Sequence, residues 1–264
     1  MNPIDELFPA SQRVIYDKAP LVQVVCQLRF PAILRIQSQP PADFQDAIRD
    51  RFPLLDRVNV LLPQGIELPQ ELIQVLEAQA PQNAYQFLTS DRKHSILLSQ
   101  NSISLTSNAY NRWEEFGELL DAPLSALIKY YNPAFFSRVG LRYINAIERN
   151  ALGLEAKWSE LLNKVILGES ALPQFETNLQ AATSAVVVSL PDNSGSLALR
   201  HGLGQILGHQ EIAYTIDFDF YCDKPTEVEN AKSVIDHFNK HVGRAFRWCI
   251  SDALHNALGP SAIE

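Results

Sequence analysis

The chain is short of the residues that mark secreted, redox-active or membrane proteins. Its 264 residues include three cysteines, Cys26, Cys222 and Cys249, an odd and widely spaced set with no Cys-x-x-Cys. That excludes a disulfide framework and a thioredoxin-type motif, and each cysteine reads as a reduced core thiol in an apolar stretch. Long hydrophobic runs are lacking as well. Nothing approaches the roughly 18 apolar residues of a membrane-spanning helix, and the first twenty residues carry no apolar signal core. These absences predict a soluble, cytoplasmic protein with no membrane partner.

Positive charge is in deficit, with 22 Lys and Arg against 30 Asp and Glu and a net charge of −8. A general attraction to phosphate backbones or anionic lipid is therefore not expected. The short motifs that announce chemistry are also missing: there is no Gly-x-Ser-x-Gly, no Walker lysine and no zinc-finger spacing. Gly202 to Gly208, "GLGQILG", imitates a phosphate loop, but a strand pattern follows it where a helix N-terminus would be needed. No cofactor, metal site or catalytic residue is expected on these grounds.

What the chain has in quantity is core-forming side chains, 46% hydrophobic and 9% aromatic, arranged in clear periods. Leu21 to Phe30 alternates, with Val22, Val24, Cys26, Leu28 and Phe30 on one face and Gln23, Val25, Gln27 and Arg29 on the other. An amphipathic helix follows, with Phe44, Ile48 and Phe52 at four-residue spacing. The Pro-rich stretch from Pro53 to Asn83 reads as an insertion holding one short helix near Gln70–Ala78. Three strand candidates, "AYQFLTS", "HSILLSQ" and "SISLTSN", form a meander. A helix from Trp113 stops at Asn132-Pro133.

The second half repeats this order. Leu141-Arg142-Tyr143 echoes Leu28-Arg29-Phe30. A helix around Trp158, two strands about the Pro191–Gly195 turn and the strand "EIAYTIDFDFYC" follow, and a long amphipathic helix from Glu227 to Leu258 closes the chain. The expectation is an α+β protein: duplicated β-α-β(3-4)-α units forming a curved antiparallel sheet with helices packed on one face, like the saddle of TATA-binding proteins or a helix-grip fold. Its parts would be a leader (1–20), a first lobe (21–133), a second lobe (134–258) and a tail (259–264), with the two lobes forming one compact unit.

The segments "APLVQVVCQLRFP", "NAYNRWEEF", "GLRYIN" and "IDFDFY" resemble a sporadically distributed family of uncharacterised prokaryotic proteins of about this length. The resemblance spans nearly the whole chain and implies a single full-length unit. It brings no activity, cofactor or catalytic residue.

Candidate binding residues come from charges placed in mid-strand, because an unpaired charge there must reach solvent or a partner. Arg29, Arg138, Arg142 and Arg200 sit on expected strands, and Asp217 and Asp219 share one strand face. Pairing among them would keep an open sheet face soluble. Alternatively, the arginines present a surface for a protein or small ligand, with Tyr143 and Asn145 at its edge. The two aspartates also fit a metal-dependent hydrolase or nuclease, and a helix-grip carrier would hold its ligand in a cavity under the last helix. His237 and His241 have the i, i+4 spacing of a metal pair, but neighbouring Lys240, Arg244 and Arg247 point to a solvated basic face. Those three cations are the one place where nucleic-acid phosphate could be met. A binding or regulatory module is the reading favoured by this sequence, and it leans away from an enzyme.

Overall fold

The computed structural model describes residues 7–58, 84–176, 178–205 and 212–262. The expected helix near Gln70–Ala78 and the end of the "GLGQILG" stretch lie outside them. The fold is α+β. Nine strands form a large antiparallel sheet in the order β3-β4-β5-β6-β2-β7-β10-β9-β8, with helices on one side. The strands are β2 (Leu21–Arg29), β3 (Leu54–Val58), β4 (Ala84–Leu88), β5 (His94–Ser99), β6 (Ser102–Ser107), β7 (Arg138–Ile147), β8 (Ala182–Ser189), β9 (Ser196–Gln205) and β10 (Ile212–Cys222). A separate ribbon pairs β1 (Val14–Tyr16) with β11 (Pro260–Ala262). Two compact units divide the chain, one made of Gln23–Leu141 and Cys222–Ile235, the other of Met1–Val22, Arg142–Tyr221 and Asp236–Glu264.

In the first of these units the alternation of β2 does what it promised for Val24, Cys26, Leu28 and Phe30, all buried. Val22, expected on the same core face, stays exposed at the start of the strand. Helices α1 (Leu34–Ser38) and α2 (Ala42–Ile48) follow. Phe44 and Ile48 of α2 are buried, and Phe44 meets Phe87 of β4 with ring centroids 5.5 Å apart. Burying each such ring contributes about 1.5–3 kcal/mol. The Pro-rich stretch is not all insertion, because its first residues form β3, paired with β4 from Leu54↔Leu88 onward. Helix α3 (Trp113–Tyr131) ends where Asn132 takes a left-handed conformation, φ 43°, and its amide donates to the carbonyls of Leu127 and Ile128. Pro133 then bars any continuation.

In the other unit short helices α4 (Trp158–Leu161), α5 (Lys164–Leu167) and α6 (Pro173–Glu176) replace the single helix expected around Trp158. The closing helix is also two, α7 (Ala231–Cys249) and α8 (Asp252–Ala257). The break has a cause in backbone hydrogen bonds. Asn163 donates to the Cys249 carbonyl and Ser251 donates to that of Leu161, so the chain at Ile250 pairs with Leu162 and cannot also continue the helix. Ser251 then caps α8, its hydroxyl accepting from the Leu254 amide. The ribbon of β1 and β11 lies in this unit too. Tyr16 packs against Phe246 and hydrogen-bonds His255 at 2.8 Å, so Val14–Tyr16 of the leader and Pro260–Ala262 of the tail are structured parts of the unit.

Candidate functional site

The alternation of β10 sorts its side chains. Tyr214, Ile216, Phe218 and Phe220 are buried toward the helices, where Phe220 stacks on Phe238 of α7. Thr215, Asp217, Asp219 and Tyr221 fall on the opposite face. The β9–β10 register places Arg200 directly across from Asp217, and Arg142 reaches the same carboxylate from β7. Arg142 Nε donates to Asp217 Oδ1 at 2.7 Å and its Nη2 to Oδ2 at 2.8 Å; Arg200 Nη1 donates to Oδ2 at 3.3 Å. The Asp217 side chain is 10% exposed, while those of Arg142 and Arg200 are 35% and 50% exposed. A carboxylate is thus sunk beneath two guanidiniums whose outer donors are left over. The hydrogen bond to Asp217 raises the Arg142 pKa above its ordinary value against the opposing effect of burial, and the negative charge of Asp219 adds to the rise.

The remaining predicted residues are distributed differently. Tyr143 and Asn145 lie on the other face of β7 and are buried: Tyr143 Oη donates to Asn239 Oδ1 of α7 at 3.0 Å, and Asn145 Nδ2 donates to the Ile216 carbonyl. They cannot edge a surface that Arg142 presents. Arg29 and Arg138 belong to the other compact unit. Arg29 is exposed and its Nε donates to Gln27 Oε1 at 2.9 Å. The Arg138 guanidinium lies over Gly140, with its Nε 3.5 Å from where a β-carbon would stand.

The two histidines of α7 are not on a solvated face. His241 is buried, and its ring meets that of His237 edge to face at 4.7 Å. His237 Nε2 lies 2.9 Å from Asp192 Oδ2 and 3.1 Å from Ser194 Oγ, which ties the β8–β9 turn to the helix. Burial alone would raise the Asp192 carboxyl, but the Ser194 hydroxyl and amide, with His237, hold it below the usual range. Of the three expected phosphate contacts, Lys240 is exposed, whereas Arg247 binds the Ile250 carbonyl and Asp252 at the α7–α8 break. Among the described residues no group of three or more His, Cys, Asp or Glu side chains could hold a metal ion. No helix there is long and apolar enough to cross a membrane.

One polar pair escaped the sequence reading. His201 of β9 stacks on Tyr214 and its Nδ1 lies 2.9 Å from the Tyr214 hydroxyl, which also donates to the Ile166 carbonyl. Burial pushes the His201 pKa down and the Tyr214 pKa up. Tyr214, Trp158, Leu167, Ser170, Leu179 and Leu203 surround only a narrow packing gap with no room for a water molecule, far short of the roughly 300–1,000 Å³ of small-molecule sites. Nothing in the sequence could signal this pair, since the two residues meet only through strand register.

No family model matches the chain, and no curated protein does. Among solved structures, a crystal structure of lombricine kinase aligns over 90% of this chain and 68% of its own, at 10% identity and a TM-score of 0.33. A likeness that slight carries no argument about fold or function.

Proposed function

We propose that the protein is a cytoplasmic binding or regulatory module that takes a protein or small ligand on the helix-free sheet face around Arg142, Asp217 and Arg200. The observation that carries this reading is the shared carboxylate. Asp217 holds two guanidiniums side by side at fixed spacing, and the outer donors of both remain within reach of solvent. Such a pair suits a carboxylate, because a planar fork bonds it in two places and the pair need not be ordered at the moment of binding. Three buried free thiols support a reducing compartment; burial raises that of Cys26 to about 12, far from reactive.

The chain is also read as a tandem duplication. In each half the first strand lies innermost and the meander runs outward, β2-β6-β5-β4 in one and β7-β10-β9-β8 in the other. The family of uncharacterised prokaryotic proteins remains the proposed kinship. The enzymatic alternative gains no support, since a base must be free to take a proton and Asp217 is engaged by two arginines.

The test is affinity purification of the native protein from a cytosolic extract beside the Arg200→Ala and Arg142→Lys variants, with mass spectrometry of what is retained. A companion retained by the native chain and lost from both variants at unchanged melting temperature supports the reading. A companion retained equally by all three removes this face from function.

A further inference from the structure

We propose that β8 is a self-association edge, at which two copies of this chain pair antiparallel and extend the sheet across a two-fold axis. The strand lies at one end of the strand order, and among the described residues its pairing is with β9 alone. Its residues Thr183 to Val187 are all exposed, with Val186 47% and Val187 65% accessible. Consecutive residues point to opposite faces. Their joint exposure therefore means that neither face of the strand is covered.

Sheet edges are normally blunted with charge or proline. Ala182–Ser189, "ATSAVVVS", has neither, and its three valines and threonine favour extended pairing. The strand at the opposite end of the order is protected. Asp56 of β3 is ion-paired with Arg92 at 3.0 Å, and Arg57 stands beside it in the sequence. One edge carries the usual defence and the other does not.

Charge selects a second copy as the occupant. The chain bears a net −8, so most contacts between two copies set like charges together. Between Asn178 and Leu199 the sequence holds one charged residue, Asp192, and that side chain is engaged by His237. A two-fold antiparallel contact sets this uncharged row against itself without repulsion. It also consumes the β8 edge of both copies and leaves the charged β3 strand at each far end of the sheet, so association through this edge closes at a dimer and does not grow into a fibre. Eight residues span roughly 27 Å at about 3.4 Å each. An interface of that length belongs at the small end of specific contacts, and its dissociation constant is expected at roughly 1–100 μM.

Sedimentation equilibrium of the full chain from about 1 to 500 μM brackets that range. The expected result is a monomer–dimer equilibrium for the native chain, and at least tenfold weaker association for Val187→Lys at an unchanged circular dichroism spectrum. Thr183→Lys, at another exposed position, serves if the first variant misfolds. A bis-maleimide should join two copies of Ala185→Cys and spare the native chain, whose three cysteines are buried. A native chain that stays monomeric throughout overturns the proposal, even if a different protein binds the edge. So does a Thr183→Lys or Val187→Lys variant that dimerises as the native chain does.

Discussion

Asp217 is the residue on which the charged cluster depends, because it accepts hydrogen bonds from both arginines. Asp217→Asn keeps the shape and removes the charge, leaving the Arg142 and Arg200 guanidiniums facing each other. With both arginines partly in water, a loss of roughly 1–3 kcal/mol is expected by urea denaturation, and a double-mutant cycle with Arg142→Met should recover part of it as coupling. Two glycines are fixed by steric contact. A β-carbon at Gly202 would stand 1.9 Å from the Ala182 carbonyl oxygen, and one at Gly195 would stand 2.2 Å from that of Tyr221. Gly202→Ala should therefore push β8 off β9, cost about 1–3 kcal/mol in thermal or urea unfolding, and raise amide exchange in β8. His201 supplies a pH dependence. Its folded pKa lies below the ordinary 6.5, so as pH falls through 6.5 the unfolded chain gains a proton that the folded chain refuses. Stability is full above that value and declines below it; His94 and His255, also shifted down, act with the same sign. Urea midpoints at pH 7.5 and 5.5 should show the drop, and His201→Gln should lessen it.

Among the elements, the strands with strict alternation were legible and the breaks were not. In β10 from Tyr214 to Phe220 every second side chain is apolar or aromatic and buried, and in β2 Val24, Cys26 and Leu28 are buried while Val25 and Gln27 between them are half-exposed. The same period places Tyr143 and Asn145 opposite Arg142; grouping them as one surface overlooked the strand's own geometry. The α7–α8 break was hidden because the apolar pattern runs on through Cys249 and Ile250, while the cause lies in the distant Leu161–Asn163 backbone. Ser251→Ala should test the cap, with a loss of about 1 kcal/mol read as a lowered melting temperature. β3 was missed because Pro53 and the prolines that follow suggested an insertion, yet Pro53 precedes the strand and blocks none of its pairing.

For the whole molecule, the net charge of −8 governs how it meets other molecules. Two copies repel at long range, and salt screens that repulsion. Self-association should therefore strengthen between low and moderate ionic strength, as sedimentation would record. Binding to a polyanion weakens with salt, so strong, salt-labile retention on heparin would contradict the reading of the α7 cations. The sequence by itself determined the fold class, the core faces of the main strands and helices and the burial of the three cysteines, because these follow from local period and composition. Only the tertiary structure decided that Asp217 unites two arginines, that His241 is buried and that Thr183 to Val187 of β8 are exposed. Strand register and the order of strands in the sheet set those outcomes, and both arise from contacts between residues far apart in the chain.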